Sequence, residues 1–178
     1  MNSSPGPDCS VIIVNWNTCD YLAECLGSVT RAGVGEELPV TGNQSPHDRS
    51  PSTDCGWPVT ETIVVDNAST DGSAAMVRER FPWVQLIENG ENVGFAAANN
   101  QAIAQARGRV LFLLNPDAYL RPGALQQVIA FLDAHPEAAA VGPNVLNPDG
   151  TWQAAVFRFP TLWDLFCEAV FLSVLFPH

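Results

Sequence analysis

The run Val110-Leu-Phe-Leu-Leu114 holds no polar residue and stops abruptly at Asn115-Pro116-Asp117. A strand with one wet face would alternate, so a continuous apolar run predicts a strand buried on both faces, in the middle of a mostly parallel sheet. Two more stretches are built the same way. Ser10-Val-Ile-Ile-Val14 breaks into Asn15-Trp16-Asn17-Thr18, and Thr62-Ile-Val-Val65 breaks into Asp66-Asn67-Ala68-Ser69-Thr70-Asp71-Gly72. Segments of helical spacing lie between such runs. This alternation, kept up to about residue 142, predicts an α/β fold: a doubly wound, mostly parallel sheet flanked by helices, with right-handed crossovers.

Thr18 or Asp20 can cap a first helix that carries Leu22, Cys25, Leu26 and Val29 and ends at Gly33 or Gly35. No third glycine follows at the spacing of a dinucleotide fingerprint. Residues 36–58 are polar, aperiodic and too long for an ordinary connection, which predicts a flexible insertion, with a lid over a ligand as the functional alternative. Ser69 or Thr70 can cap a helix from Ser73 to Phe81, with Asp71 matching its positive end. Trp83 to Ile87 reads as a third strand. Phe95 to Arg107 is an alanine-rich helix stopped by Gly108, and Leu125, Val128, Ile129 and Leu132 mark a fourth helix after Pro122. Ala138 to Val145 reads as a fifth strand, followed by a turn at Asn147-Pro-Asp-Gly150 and a hairpin returning through Trp152 to Phe157.

The polar clusters carry the chemistry. In a parallel sheet Asn15, Asp66, Asn92 and Asn115/Asp117 all fall at one edge, where open α/β sheets bind ligands. Pro116 ends the strand ladder and presents Asp117, a carboxylate suited to a hard cation bridging a diphosphate. A plain turn is the alternative, and the same triplet at Asn147–Asp149 is best read as one. Asp66 can accept from a sugar hydroxyl or a base N–H, or bond its own backbone. The loop Glu88–Gly94 needs positive φ in places. Asn99 and Asn100 are poor helix formers, explained either by a polar contact or by solvent. No histidine has partners that suggest catalysis.

Charge removes other classes. A net charge of −11 with 8 basic residues argues against nucleic acid and against a polybasic membrane anchor. The five cysteines form no C-x-x-C pair, which disfavours zinc and fits a cytoplasmic chain. Residues 161–176 are nearly all apolar, interrupted by Asp164 and Glu168. They are too few to span a bilayer and predict a helix that packs on something, by self-association or at the inner face of a membrane.

Taken together, Val11-Ile-Ile-Val-Asn-Trp-Asn17, Val65-Asp-Asn-Ala-Ser-Thr-Asp-Gly-Ser73, Asn92-Val-Gly-Phe-Ala-Ala-Ala-Asn99 and Leu113-Leu-Asn-Pro-Asp117 resemble the family 2 glycosyltransferases of GT-A fold, and within them the rhamnosyltransferase-like branch. The resemblance implies inverting transfer of a sugar from a dTDP- or UDP-sugar to a cell-wall, polysaccharide or lipid-linked acceptor, with Mg or Mn as cofactor. It implies that Val14, Asn15 and Trp16 line the base pocket, that Asp66 contacts base or ribose, and that Asn92, Gly94 and Phe95 close over the nucleoside. Asn115-Pro-Asp117 stands where other members carry two acids, so Asp117 is the implied metal ligand and Asn115 a departure. The resemblance divides the chain into a nucleotide-sugar-binding domain over 1–160 and an apolar helix over 161–178 that begins an acceptor-side half. The general base is not identified. Two alternatives stand: a non-catalytic interaction module, and a sugar-1-phosphate nucleotidyltransferase, for which the basic phosphate loop after the first strand is missing.

Overall fold

The computed structural model describes residues 6–34 and 58–153. The chain divides into two compact units, Met1–Ala139 and Ala140–His178. The first contains strands β1 (Cys9–Asn15), β2 (Thr60–Asp66), β3 (Gln85–Glu88) and β4 (Val110–Leu114), and helices α1 (Cys19–Val34), α2 (Ser73–Arg80), α3 (Phe95–Ile103) and α4 (Ala124–Ala134). Strand and helix alternate throughout, as the apolar runs predict. The strands form one sheet in the order β3-β2-β1-β4, every neighbouring pair parallel.

Side chains alternate across a strand, and two cores result. Val11 and Ile13 of β1, Val64 of β2 and Phe112 and Leu114 of β4 pack with Leu22 and Leu26 of α1, Val77 of α2 and Leu125 of α4. On the opposite face Ile12, Ile63 and Val65 pack with Ala98 and Ala102 of α3, whose small side chains let that helix lie close to the sheet. The sheet is thus doubly wound. The connections from β1 to β3 move one way under α1 and α2, and the connection to β4 returns over the other face through α3.

The opposite, amino-terminal edge is joined by one carboxylate. Glu61 Oε1 accepts from Ser10 Oγ (2.6 Å), Arg107 N–H (2.5 Å) and Gly108 N–H (3.2 Å), and Oε2 accepts from Arg107 Nη2 (2.8 Å). Gly108 passes so close to β1 that an added Cβ would lie 2.4 Å from Ser10 N. These bonds explain why α3 stops at Ile103 instead of reaching Arg107. The chain turns through Ala104–Ala106 to bring two N–H groups onto Glu61.

Three expectations are corrected. β4 is an edge strand among those described, and its α3-side residues Leu111 and Leu113 are 44% and 54% exposed. An apolar run records surface that wants cover, without saying where the strand sits in the sheet order. Ala138–Val145 forms no strand. The stretch is broken by Gly142 and Pro143, and among the described residues the pairing that follows it is the isolated bridge Leu146↔Trp152. The third strand begins at Gln85, two residues later than expected. The turn at Asn147–Gly150 is present, closed by Gly150 N–H to Asn147 O at 2.9 Å. The expected insertion (but for Pro58), the 154–157 return strand, the boundary near 160 and the 161–178 helix lie outside the described residues.

Candidate functional site

Parallel pairing brings the carboxyl ends of all four strands to one rim. In register Asn15 lies beside Asp66, and Ile13 beside Leu114. The chain leaves β1 toward β2 and later returns to β4 on β1's other side, so the crevice between β1 and β4 is the topological switch point.

Asn15 is completely buried and Asp66 is 4% exposed. Asn15 Nδ2 donates to Asp66 Oδ1 (2.9 Å) and to Ser69 Oγ (3.1 Å), while Asn15 Oδ1 accepts from Thr18 Oγ1 (2.6 Å). Asp66 Oδ2 accepts from Ser69 N–H at 3.0 Å. Of its two readings, Asp66 therefore shows the turn geometry, and each oxygen keeps a further lone pair. Asn15 has its whole amide committed inside the protein, and it shapes the rim from beneath. Asn17 N–H donates to Ser69 Oγ (2.9 Å) and Thr70 N–H donates to Asn17 Oδ1 (2.8 Å), clasping the loops after β1 and β2 together. Both loops carry a non-glycine residue at positive φ, Asn17 at 53° and Ala68 at 65°.

The expected caps are differently placed. Thr18 turns to Asn15, and Ser69 and Thr70 serve the clasp. Asp71 instead accepts from Cys19 N–H at the start of α1 (2.8 Å) and from Ser73 N–H (3.1 Å) and Ser73 Oγ (2.5 Å) at the start of α2. Its modest burial opposes ionisation, but these donors outweigh it and hold the carboxyl below the usual range. One carboxylate thus neutralises two helix starts.

The loop after β3 is held by amides. Asn67, which sequence reasoning passed over, donates from Nδ2 to Asn92 Oδ1 (2.7 Å), and its Oδ1 accepts from Val93 N–H and Asn89 Nδ2 (both 3.1 Å). Asn92 Oδ1 also accepts from Gly94 N–H at 2.9 Å. Gly94 sits at φ 84°, ψ 160°, open to glycine alone, and starts α3. Trp16 and Phe95 stand at this rim 56% and 61% exposed. Val14 is partly buried against the α3 core. Asn99 folds back onto Phe95 O (2.9 Å), whereas Asn100 faces solvent.

Beyond β4 the segment Asn115–Ala118 is a turn, closed by Ala118 N–H to Asn115 O at 3.1 Å. Pro116 and Asp117 are its central residues, so turn and presentation coincide. The buried Cys25 thiol donates to Asn115 O (3.6 Å); burial, and then the nearby Asp117 charge, push it up to about 12. Asp117 itself is exposed, and no described residue bonds its carboxylate.

Among the described residues no three His, Cys, Asp or Glu side chains converge on a point, so these residues form no metal cage by themselves. The Asp117 carboxylate, bonded by no described residue, does fit an ion that draws its remaining ligands from phosphate and water, as magnesium does. No described helix is long and apolar enough to cross a membrane.

A doubly wound parallel sheet with a polar rim at its switch point defines an α/β ligand-binding domain. Residues 10–169 match the Glycosyl transferase family 2, and the chain belongs to that family. It is 30% identical over 111 residues to an N-acetylglucosaminyl-diphospho-decaprenol L-rhamnosyltransferase of Mycobacterium tuberculosis, covering 56% of this chain and 36% of that protein. It is 37% identical over 147 residues to the succinoglycan biosynthesis protein ExoO of Rhizobium meliloti, covering 81% and 35%. The chain thus spans about a third of the length of these relatives. Among solved structures it is similar to the mannosyltransferase PcManGT of Pyrobaculum calidifontis in complex with GDP-Man and Mn2+, at 25% identity and a TM-score of 0.56 over 82% of this chain and 37% of that one. S. aureus TarS 1-349 in complex with UDP-GlcNAc shares the fold at 24% identity and a TM-score of 0.53, over 72% and 32%. The fold is the GT-A type.

Proposed function

We propose that this chain carries the donor-binding part of an inverting glycosyltransferase that uses a dTDP- or UDP-sugar, with rhamnose the favoured sugar and a cell-wall, polysaccharide or lipid-linked acceptor. The observation that carries the reading is the exposed Asp117 carboxylate, bonded by no described residue, at a rim whose other polar groups are largely committed to holding its loops. A diphosphate arriving there needs positive charge. The start of α1 is already neutralised by Asp71. Arg107 and Arg109 precede β4 and pair with Glu61 and Asp133 at the opposite edge, and Arg78 pairs with Glu88. Of the described arginines, Arg121 alone lies in a loop leaving a strand at the rim. Asp117 would hold a divalent Mg or Mn ion, which when bound would supply positive charge to the diphosphate. The choice of rhamnose is supported by the likeness to the mycobacterial rhamnosyltransferase.

Calorimetric titration with UDP, dTDP and GDP, each with and without MnCl2, tests the reading. Binding that strengthens with manganese in the wild type and loses that increment in Asp117→Ala supports it. Absence of binding for all three nucleotides overturns it.

A further inference from the structure

We infer that Asn67 is a positioning residue for the nucleotide, acting through the loop Asn89–Gly94; the inference rests on the nucleotide-sugar reading above. Asn67 is buried, 2% exposed, one residue past the end of β2. Its carboxamide works in both directions. Nδ2 donates to Asn92 Oδ1, while Oδ1 accepts from Val93 N–H and from Asn89 Nδ2. Asn89 is itself tied down, with its N–H on Asp66 O (2.9 Å) and its Nδ2 also on Gln101 Oε1 (2.9 Å).

The consequence lies at the far end of this relay. Asn92 Oδ1, oriented by Asn67, accepts from Gly94 N–H. That bond helps hold Gly94 at a φ of 84°, from which Gly94 O accepts the first turn of α3 through Ala98 N–H at 3.1 Å. Phe95, the first residue of α3, is thereby aimed into solvent at the rim. Asn67, buried beneath the loop, sets where Gly94 and Phe95 stand.

The residue type follows from the bonds. A carboxylate at position 67 accepts from Val93 and Asn89 equally well but cannot donate to Asn92. Asn92 must then either face it oxygen to oxygen or turn its amide over, and the second choice removes the acceptor from Gly94 N–H. Asn67→Asp therefore keeps size and burial while breaking one link of the relay. Asn92→Ala breaks the same link from the exposed side without opening a cavity.

The test uses the whole chain with MnCl2 and UDP, dTDP or GDP as probes, together with amide hydrogen exchange without nucleotide. Both variants should bind the nucleotide preferred by wild type at least tenfold more weakly, with faster exchange at Gly94 and a folded circular-dichroism spectrum. A role confined to filling the core would lower the urea midpoint and leave the affinity of the folded protein unchanged. Wild-type binding with Asn67→Asp within twofold of it overturns the inference and leaves the donor-binding reading standing. No binding by wild type overturns both.

Discussion

Asn15 and Asp66 face each other in register at the carboxyl ends of the two central strands, joined by a 2.9 Å hydrogen bond from Nδ2 to Oδ1. Both are buried, so the bond stands in place of water around a carboxylate. Hydrogen bonds to charged groups contribute about 1.5–3 kcal/mol, and an orphaned buried acceptor costs more than a pair removed together. Asn15→Ala should therefore destabilise the fold by about 3 kcal/mol in urea titration. The double variant Asn15→Ala/Asp66→Ala should lose less than the sum of the singles, by about 1–2 kcal/mol. Strict additivity would show that the two side chains act independently.

The opposite edge gives a pH dependence. Burial opposes ionisation of Glu61, but the Ser10 hydroxyl, the Arg107 N–H and the Arg107 guanidinium together hold its carboxyl below the ordinary 4.5. A lowered acid prefers the folded state when ionised. Its contribution is complete above 4.5 and disappears as pH falls through the lowered value. In Glu61→Gln the urea midpoint should be lower at pH 7 and should fall less steeply between about pH 4.5 and pH 2 than in wild type. Parallel curves for the two proteins would remove Glu61 from the acid transition.

Much of this was legible in the residues. The three apolar runs located β1, β2 and β4, because burial of β-branched and apolar side chains is a local pattern, and their shared direction put Asn15, Asp66 and Asn115/Asp117 on one rim. The edge position of β4 was not legible, since nothing in Val110–Leu114 says which neighbour it has. The place of Asp71 at the start of α2 was legible, but its second partner at the start of α1 was hidden. Its bond to Cys19 spans 52 residues, and local capping rules look only a few residues ahead. Asn67 was passed over because an asparagine after a strand looks like any turn residue until Asn89 and Asn92 come into view.

Ala68 and Asn17 share the sign of φ, 65° and 53°, and should respond in opposite ways to glycine. Left-handed backbone costs an alanine about 1–2 kcal/mol, whereas the freedom of glycine in the unfolded chain costs about 0.5–1 kcal/mol. Ala68→Gly should stabilise by about 0.5–1 kcal/mol on balance. Asn17 tolerates this region and also accepts from Thr70 N–H, so Asn17→Gly should destabilise by about 1 kcal/mol. Thermal melts decide both, and equal shifts for the two variants would show that backbone strain alone governs the site.

Asp71 and Asp117 are both exposed acids at the same rim, yet their carboxylates are differently engaged. Asp71 is taken up by Cys19 and Ser73 at two helix starts, where loss of a cap costs about 0.5–2 kcal/mol. Asp117 is bonded by no described residue, and substitution of such a surface group moves stability by less than about 0.5 kcal/mol. Asp71→Ala should accordingly lower the melting temperature while keeping the manganese-dependent gain in nucleotide affinity. Asp117→Ala should do the reverse, melting as wild type does and losing that gain. The two variants cross over because a carboxylate already engaged by backbone N–H groups has little left to offer a cation, while one that no described residue bonds keeps its oxygens for it. A manganese dependence that survives Asp117→Ala and disappears in Asp71→Ala would move the ion to the start of α1 and leave the turn after β4 without a role in the chemistry.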